Sequence, residues 1–564
     1  MQTPYEQGNR NQTTTWEACI GFYERLAQQF PRLLKFTEIG VSDAGFPLHA
    51  GIVSLDGVFE AEEIRRAGRL VFFNNNGIHP GEPEGIDACM ALVRDLCMEP
   101  ARRAAMGSAV YLFIPVYNVD GCNNRNTSSR VNQDGPESFG FRGNSLHLDL
   151  NRDFIKCDSL NARLFNQFFS AWDPDVMVDT HTSNGADYAY TMTLIHTQAD
   201  KLGGGLGEFL RESMLPAIYS AMEGRGWPTC PYVNPVDVSP DKGIADFLET
   251  PRFSTGYAAL HRTIGFMPET HMLKPFADRY ESMRALLDVT LQFTLAHAGQ
   301  IQALRRAAKA QGRQKSHWPI SWKMDETRAS RLRFKGYEAV YSPSRLGNYS
   351  RLSYDKSQPW EREIACYSHF SEDVVVNAPV AYVVPQAWRE VIQRLAWNGV
   401  HMERVAASRS AEARVYRVEC VQSRPGAYEG HLFHEQVSLE AHRETVQLQI
   451  GDYWIPMNQD GARYIVETLE PQAHDSFFRW GFFNNILEKK ERFSDYVFED
   501  MALLLLEEEP ALKKKFAQWK SENPSLLENQ GRVLGFIFEN CARFAEPQWR
   551  RYPVLAIFPD AGSA

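Results

Sequence analysis

Arg69-Leu70-Val71-Phe72-Phe73-Asn74 runs directly into Asn75-Asn76-Gly77-Ile78-His79-Pro80-Gly81-Glu82, and a helical pattern starts near Pro83. The compact apolar run predicts a buried strand, and the polar Asn74–Gly77 stretch ends it. Ile86, Met90, Val93 and Cys97 then fall on one face of a helix. Working outward, Ala109–Val116 reads as a second buried strand, Asp175–Thr180 as a third and Ile264–Pro268 as a fourth. Helical patterns separate them, the last from Asp278 to Ala298. A short amphipathic helix over Trp16–Ala27 and a strand over Leu48–Leu55 come first. Strands alternating with helices predict an α/β fold with a mostly parallel central sheet flanked by helices.

After about residue 300 the texture changes. Arg305–His317 is basic and polar and reads as a linker. Strand-like pieces follow at Tyr337–Tyr341, Val374–Val376, Val415–Val421 and Thr445–Ile450. Val380–Val400 reads as a strand, a Pro385 break and a helix stopped at Gly399, and the chain from Arg479 onward reads as mainly helical. The expected division is therefore a catalytic domain over 1–305 and a mixed α/β C-terminal module over 320–564, as suits a chain of 564 residues. Gly203–Gly207 follows no apolar strand and lacks a phosphate-loop Lys, so it reads as a flexible loop.

The net charge of −10 argues against a nucleic-acid partner. No apolar run is long enough to cross a bilayer, and no export signal opens the chain. The nine cysteines are scattered, without the spacing of a zinc ribbon or a disulfide framework.

The chemistry starts at His79 and Glu82, an H-x-x-E pair at a strand-to-helix turn. An imidazole and a carboxylate three residues apart on a tight turn can reach one metal ion, and Zn²⁺ accepts both donor types. His181 follows the third strand, where open α/β sheets bind ligands. Glu269 closes the fourth strand and is the candidate general base, with Glu249 as its rival. Asn151-Arg152 offers an amide and a guanidinium to a terminal carboxylate, and Arg142 stands nine residues before Asn151. Each signal taken singly is weak. His434-Glu435 is a decoy, since the next histidine is 442 rather than the 438 that H-E-x-x-H requires.

The order of these elements resembles the zinc carboxypeptidase family, both the digestive A/B type and the regulatory N/E type, over roughly residues 15–300. Asn118-Val119-Asp120-Gly121 looks like the family's Asn-Pro-Asp-Gly. The resemblance implies one zinc per chain, bound by His79, Glu82 and His181. It implies that Asn151 and Arg152 hold the substrate's terminal carboxylate, that Arg142 polarises the scissile carbonyl and that Glu269 is the base. The family's substrate-capping tyrosine maps by proximity to Tyr257. Thr182-Ser183 departs from the digestive enzymes' Ser-Tyr. The expected activity is removal of C-terminal residues from peptides. A related zinc amidase acting on peptidoglycan stem peptides or N-acyl amino acids is the alternative, and a binding protein with a dead site the remote one. The resemblance favours a periplasmic or secreted protein, with a cytoplasmic one if Met1 is native; oligomeric state is not legible.

Overall fold

The computed structural model describes residues 1–559. The first half is built on a nine-stranded sheet whose spatial order is β1-β2-β4-β3-β5-β10-β7-β8, with β6 also pairing β10. The strands are β1 (Leu34–Val41), β2 (Pro47–Val53), β3 (Val71–Asn75), β4 (Val110–Ile114), β5 (Val176–Asp179), β6 (His181–Ser183), β7 (Met192–His196), β8 (Thr229–Pro231) and β10 (Ile264–His271); β9 (Ile244–Ala245) pairs elsewhere. The four expected strands are the centre, β4-β3-β5-β10, and all their pairings are parallel. Antiparallel pairs flank this centre, β1–β2–β4 on one side and β10–β7 on the other.

Alternation along the strands explains the two layers. Phe72, Tyr111, Phe113, Val176, Val178 and Phe266 face the helices Glu84–Met98 and Phe276–Ala296. Val71, Phe73, Leu112, Ile114 and Met177 face the helix Leu160–Trp172 through Phe165 and Phe169. Successive side chains of a strand point to opposite faces, so each needs its own cover. The crossover from β3 to β4 and that from β4 to β5 therefore lie on opposite faces, which opens a crevice at the carboxyl ends of β3 and β5.

The second apolar layer continues without a break into the C-terminal half, through Tyr382, Val391, Leu395, Tyr464, Ile465 and Trp480. That half holds a six-stranded sheet in which Leu555–Ile557 inserts between Ala381–Val384 and Arg409–Ser423. Leu555–Ile557 thus returns as a strand within a stretch that the sequence reads as mainly helical. Three helices between Asp495 and Asn540 pack on a small core of their own, around Phe498, Leu505 and Phe538. A long ribbon, Ala329–Pro343 with Ser350–Tyr367, joins β9 and lies against the first half through Phe334, Tyr188 and Tyr190.

Two sequence expectations are corrected. Arg305–His317 is not a linker: Ala298–Arg313 is one helix, and buried Arg305 donates to Asp173 and to Asp175 at 3.3 Å. Arg305, Lys309 and Arg313 are consumed by ion pairs with Asp173, Asp175 and Asp460, which composition could not reveal. Gly204–Phe209 is helical rather than a flexible loop, because Leu206 and Phe209 have the core to bury against.

Arg279 is fully buried in the helix behind the sheet. It donates to Glu84 Oε1 at 2.6 Å and to the carbonyls of Asp134, Gly135, Met272 and Lys274 at 2.8–3.1 Å. Arg279→Leu leaves the buried Glu84 carboxylate without its counter-charge and several carbonyls short of a donor. The expected cost is about 3–5 kcal/mol, read as a lower urea midpoint with Glu84→Gln partly restoring it in the double variant.

Candidate metal centre and substrate cavity

β3 ends at Asn75, and Gly77, at φ +65°, turns the chain where a Cβ would be strained. The Glu82 N–H donates to the His79 carbonyl at 2.8 Å, closing a tight turn that brings both side chains to the carboxyl end of the sheet. Helix Glu84–Met98 starts immediately afterwards, so Glu82 sits near its positive end. That helix can approach because Gly85 lies against Thr180: a Cβ there would come within 1.9 Å of the Thr180 hydroxyl. Thr180 is the break between β5 and β6, and His181 follows it.

His79, Glu82 and His181 converge, one donor atom from each lying within 4.8 Å of the others, all buried. His79 Nε2 bonds the Asp149 carboxylate at 2.8 Å, and His181 Nε2 bonds Asp179 at 3.1 Å. A ring nitrogen facing a carboxylate carries the proton, so each imidazole turns its Nδ1 lone pair to the cluster. His79 Nδ1 is buried without a hydrogen-bond partner, and His181 Nδ1 lies 3.1 Å from Glu82. Two oriented imidazoles, one of them orphaned, and a carboxylate fit the donor set of a catalytic zinc with an open fourth position. Burial opposes ionisation of Glu82, yet His79 and Arg130 hold its carboxyl well below the usual carboxylate range. Asp149 is held low against its burial by His79, Arg142 and Arg152. Glu82 and Asp149 are thus held as carboxylates, the form in which a carboxylate serves a metal site.

Parallel register sets Glu269 of β10 directly beside His181 of β6. Burial pushes the Glu269 carboxyl up to about 8, with Glu82 adding to the shift against His181 and Arg142. Glu249 also lines the cavity; burial raises it to about 7 and Thr255 donates to it at 3.1 Å. It has no comparable register to a histidine of the cluster.

The cavity is about 670 Å³ and includes His79, Glu82, Arg142, Asn151, Arg152, His181 and Glu269 in its walls. Seven of the eight residues singled out from the sequence therefore meet at one place. Arg142 is half-exposed, bonding Asp149 at 2.9 Å and Glu82 at 3.3 Å. Its loop is pinned by Asn118, which donates to the Arg142 carbonyl at 2.9 Å while accepting from Gly121 at 2.8 Å. Arg152 lies over the Phe253 ring at 4.4 Å. Asn151 Oδ1 accepts from the Ser254 N–H at 3.2 Å, which turns its amide nitrogen free.

Tyr257 is the eighth, and it is misplaced by the sequence reading. It is fully buried between Phe154, Phe169 and His261, its hydroxyl donating to Asn398 at 2.6 Å. Its helix, Ser254–Leu260, turns that face into the joint between the two halves of the chain. The aromatics that line the cavity are Tyr232, Phe247 and Phe253. The hydroxyls of Thr182 and Ser183 are engaged by Glu84, Thr270 and the Thr270 carbonyl, while both residues also line the cavity. Arg252, just before Phe253, is consumed by Asp475 at 2.8 Å and by the Phe433 and Trp480 rings.

The sequence reading missed Arg130, which donates to Glu82 at 2.8 Å and to the Thr182 carbonyl at 3.0 Å. It sits in an irregular loop with no periodicity to mark it. It also missed Asp149 and Asp179, although each stands two residues before a selected one, Asn151 and His181. For Asp179, a carboxylate at the end of an apolar strand was the available signal; Asp149 lies in irregular chain before a short turn and had none.

An open α/β sheet with an oriented His–Glu–His cluster and a buried carboxylate at its carboxyl edge is the build of a metal-dependent hydrolase. Residues 20–185 match the family model for zinc carboxypeptidase. Carboxypeptidase 2 of Trichophyton equinum is 21% identical over 430 residues, 73% of this chain and 74% of that protein. Carboxypeptidase 2 of Trichophyton rubrum is 21% identical over 489 residues, 82% of this chain and 83% of that one. Among solved structures, a metallo-carboxypeptidase from Burkholderia cenocepacia aligns at a TM-score of 0.38 and 16% identity, covering 51% of this chain and 70% of that chain. The resemblance read from the residues is borne out: the comparisons point to a zinc-dependent metallocarboxypeptidase, and the family match lies on the stretch that carries His79, Glu82 and His181.

Proposed function

We propose that the protein hydrolyses the C-terminal peptide bond of peptides, with one Zn²⁺ per chain held by His79 Nδ1, Glu82 and His181 Nδ1. The observation that carries this is the pair of carboxylates, Asp149 and Asp179, that turn both imidazoles toward Glu82. Bound there, zinc supplies Lewis acidity toward a carbonyl and brings the pKa of water to about 7.

The chain's own groups supply the rest. Asn151 and Arg152 take the substrate's terminal carboxylate, the guanidinium by two parallel hydrogen bonds. Stacking on Phe253 fixes the plane of that fork. Arg142, half-exposed at the cavity wall, donates to the scissile carbonyl oxygen as it gains negative charge. Glu269 takes the proton of the attacking water and returns it to the leaving amine, and its burial keeps it basic enough to do so. A zinc amidase would use the same donors; the Asn151-Arg152 pair favours a substrate with a free α-carboxylate, which some cell-wall peptides also present.

Export is the compartment carried over from the resemblance. All nine cysteines are free thiols, eight of them buried, so no disulfide ties the fold.

The test is a panel of short peptides followed by mass spectrometry, with bound zinc quantified beforehand. Stepwise loss of single C-terminal residues is expected, stopped by C-terminal amidation. Arg152→Met should lower kcat/KM on free-carboxylate peptides by about 10–100-fold, as expected for a lost charged hydrogen-bond pair. Zinc-loaded protein that spares every free-carboxylate peptide would instead direct the search to cell-wall fragments.

A further inference from the structure

The loop between Arg409–Ser423 and His434–Leu448 belongs to the C-terminal half, yet it reaches the wall of the metal cluster. Glu429 Oε2 accepts the backbone N–H of Asp149 at 2.9 Å. Asp149 is the carboxylate that orients His79, at 2.8 Å, and binds Arg142, at 2.9 Å. Tyr428 and His431 exchange two backbone hydrogen bonds, 2.8 and 3.0 Å, across Glu429-Gly430. Both central residues have positive φ, +49° for Glu429 and +82° for Gly430. Such a turn is built at lowest cost from Asn, Asp or Gly at its first central position. A glutamate there is held in a left-handed conformation that costs of order 1 kcal/mol.

The turn is anchored on either side of the strained residue. His431 Nε2 bonds Asp158 at 2.7 Å, and Tyr428 stacks on Trp480 with the Arg424 guanidinium 4.3 Å from its ring centre. Neither anchor needs a carboxylate at 429. The strain therefore has one visible return, the bond to Asp149.

We propose that Glu429 is a positioning residue of the active centre, through which the C-terminal module fixes the Asp149 peptide and so the aim of His79 and Arg142. This rests on His79 being a zinc ligand. Without the carboxylate the Asp149 amide bonds to mobile water, and the Asp149 side chain gains freedom at both of its contacts. The C-terminal half then completes the site instead of standing beside it.

Three variants separate positioning from folding. Glu429→Gly removes the carboxylate and relieves the left-handed strain, so its melting temperature should equal or exceed that of the wild type. Its zinc affinity, measured by chelator competition without substrate, should fall about tenfold, the lower end for groups that orient metal ligands. Its kcat on a susceptible peptide should fall by a similar factor, with KM changed less than about threefold. Glu429→Ala should share the loss, and Glu429→Gln, whose amide oxygen can accept the same N–H, should restore most of it. Because zinc affinity is read without peptide, a tenfold loss supports the proposal even if the wild type cleaves no peptide. Wild-type zinc affinity and kcat in Glu429→Gly, or a glutamine variant as impaired as the glycine one, would overturn it.

Discussion

Glu269→Gln is expected to lower kcat by about 10²–10⁴-fold, the usual contribution of a positioned general base, while zinc content stays at that of the wild type. Glutamine keeps the size and the hydrogen-bonding edge, so the buried strand position is undisturbed and only proton acceptance is lost. The register of β10 beside β6 puts this residue next to His181, but it is not one of the three clustered donors. Loss of activity with loss of zinc would show that Glu269 holds the metal instead. The pH dependence has a fixed sign: the active form is the carboxylate, so kcat/KM falls as pH falls through its pKa. Burial sets that pKa at about 8 without a cation. A bound dication draws it down, so the acid limb of the loaded enzyme should lie below 8 and should vanish in the glutamine variant. In the metal-free protein the raised pKa acts on stability. The group's contribution is fully present below its unfolded value near 4.5 and is lost as pH rises toward 8. Wild-type protein stripped of metal should therefore lose stability relative to Glu269→Gln across that window.

The second large effect is on the metal. His181→Ala is expected to abolish stoichiometric zinc binding at micromolar protein and to leave no measurable peptidase activity. Two of three protein donors then remain, and Asp179 loses the imidazole it orients. Metal removal by a chelator should be visible in the wild type as a lower melting temperature. Ligand at about 1,000 times its dissociation constant stabilises the native state by about 4 kcal/mol. The alanine variant should melt at one temperature with or without chelator. A variant that still shifts with chelator would place the zinc elsewhere. Asp149→Asn should behave between the two, retaining zinc with an affinity about 10–100-fold weaker.

Both effects concern residues that stand out in the amino-acid sequence, and the reason is local. His79 and Glu82 share one turn, and His181 and Glu269 lie at the ends of apolar runs that can only be buried strands. Period and burial place such residues at the carboxyl edge of a parallel sheet whatever surrounds them. The central strands are legible for the same cause, since Val71–Asn75, Val110–Ile114 and Val176–Asp179 are buried at every position. The flanking antiparallel strands carry half-polar patterns, and their partners lie far along the chain, so pairing was not legible.

What the sequence determined by itself is thus the parallel α/β centre and the place of His79, Glu82, His181 and Glu269 at its carboxyl edge, because each follows from a short apolar run and the residues just beyond it. The tertiary structure alone decided which nitrogen of each histidine faces Glu82 and which faces away, since Asp149 and Asp179 impose it across the cluster. It alone sent Tyr257 into the joint with Asn398 and brought Phe247 and Phe253 to the cavity. It alone carried Glu429 to Asp149, across 280 residues of chain. A contact between distant segments depends on how whole layers pack, and no local pattern of residue types encodes that.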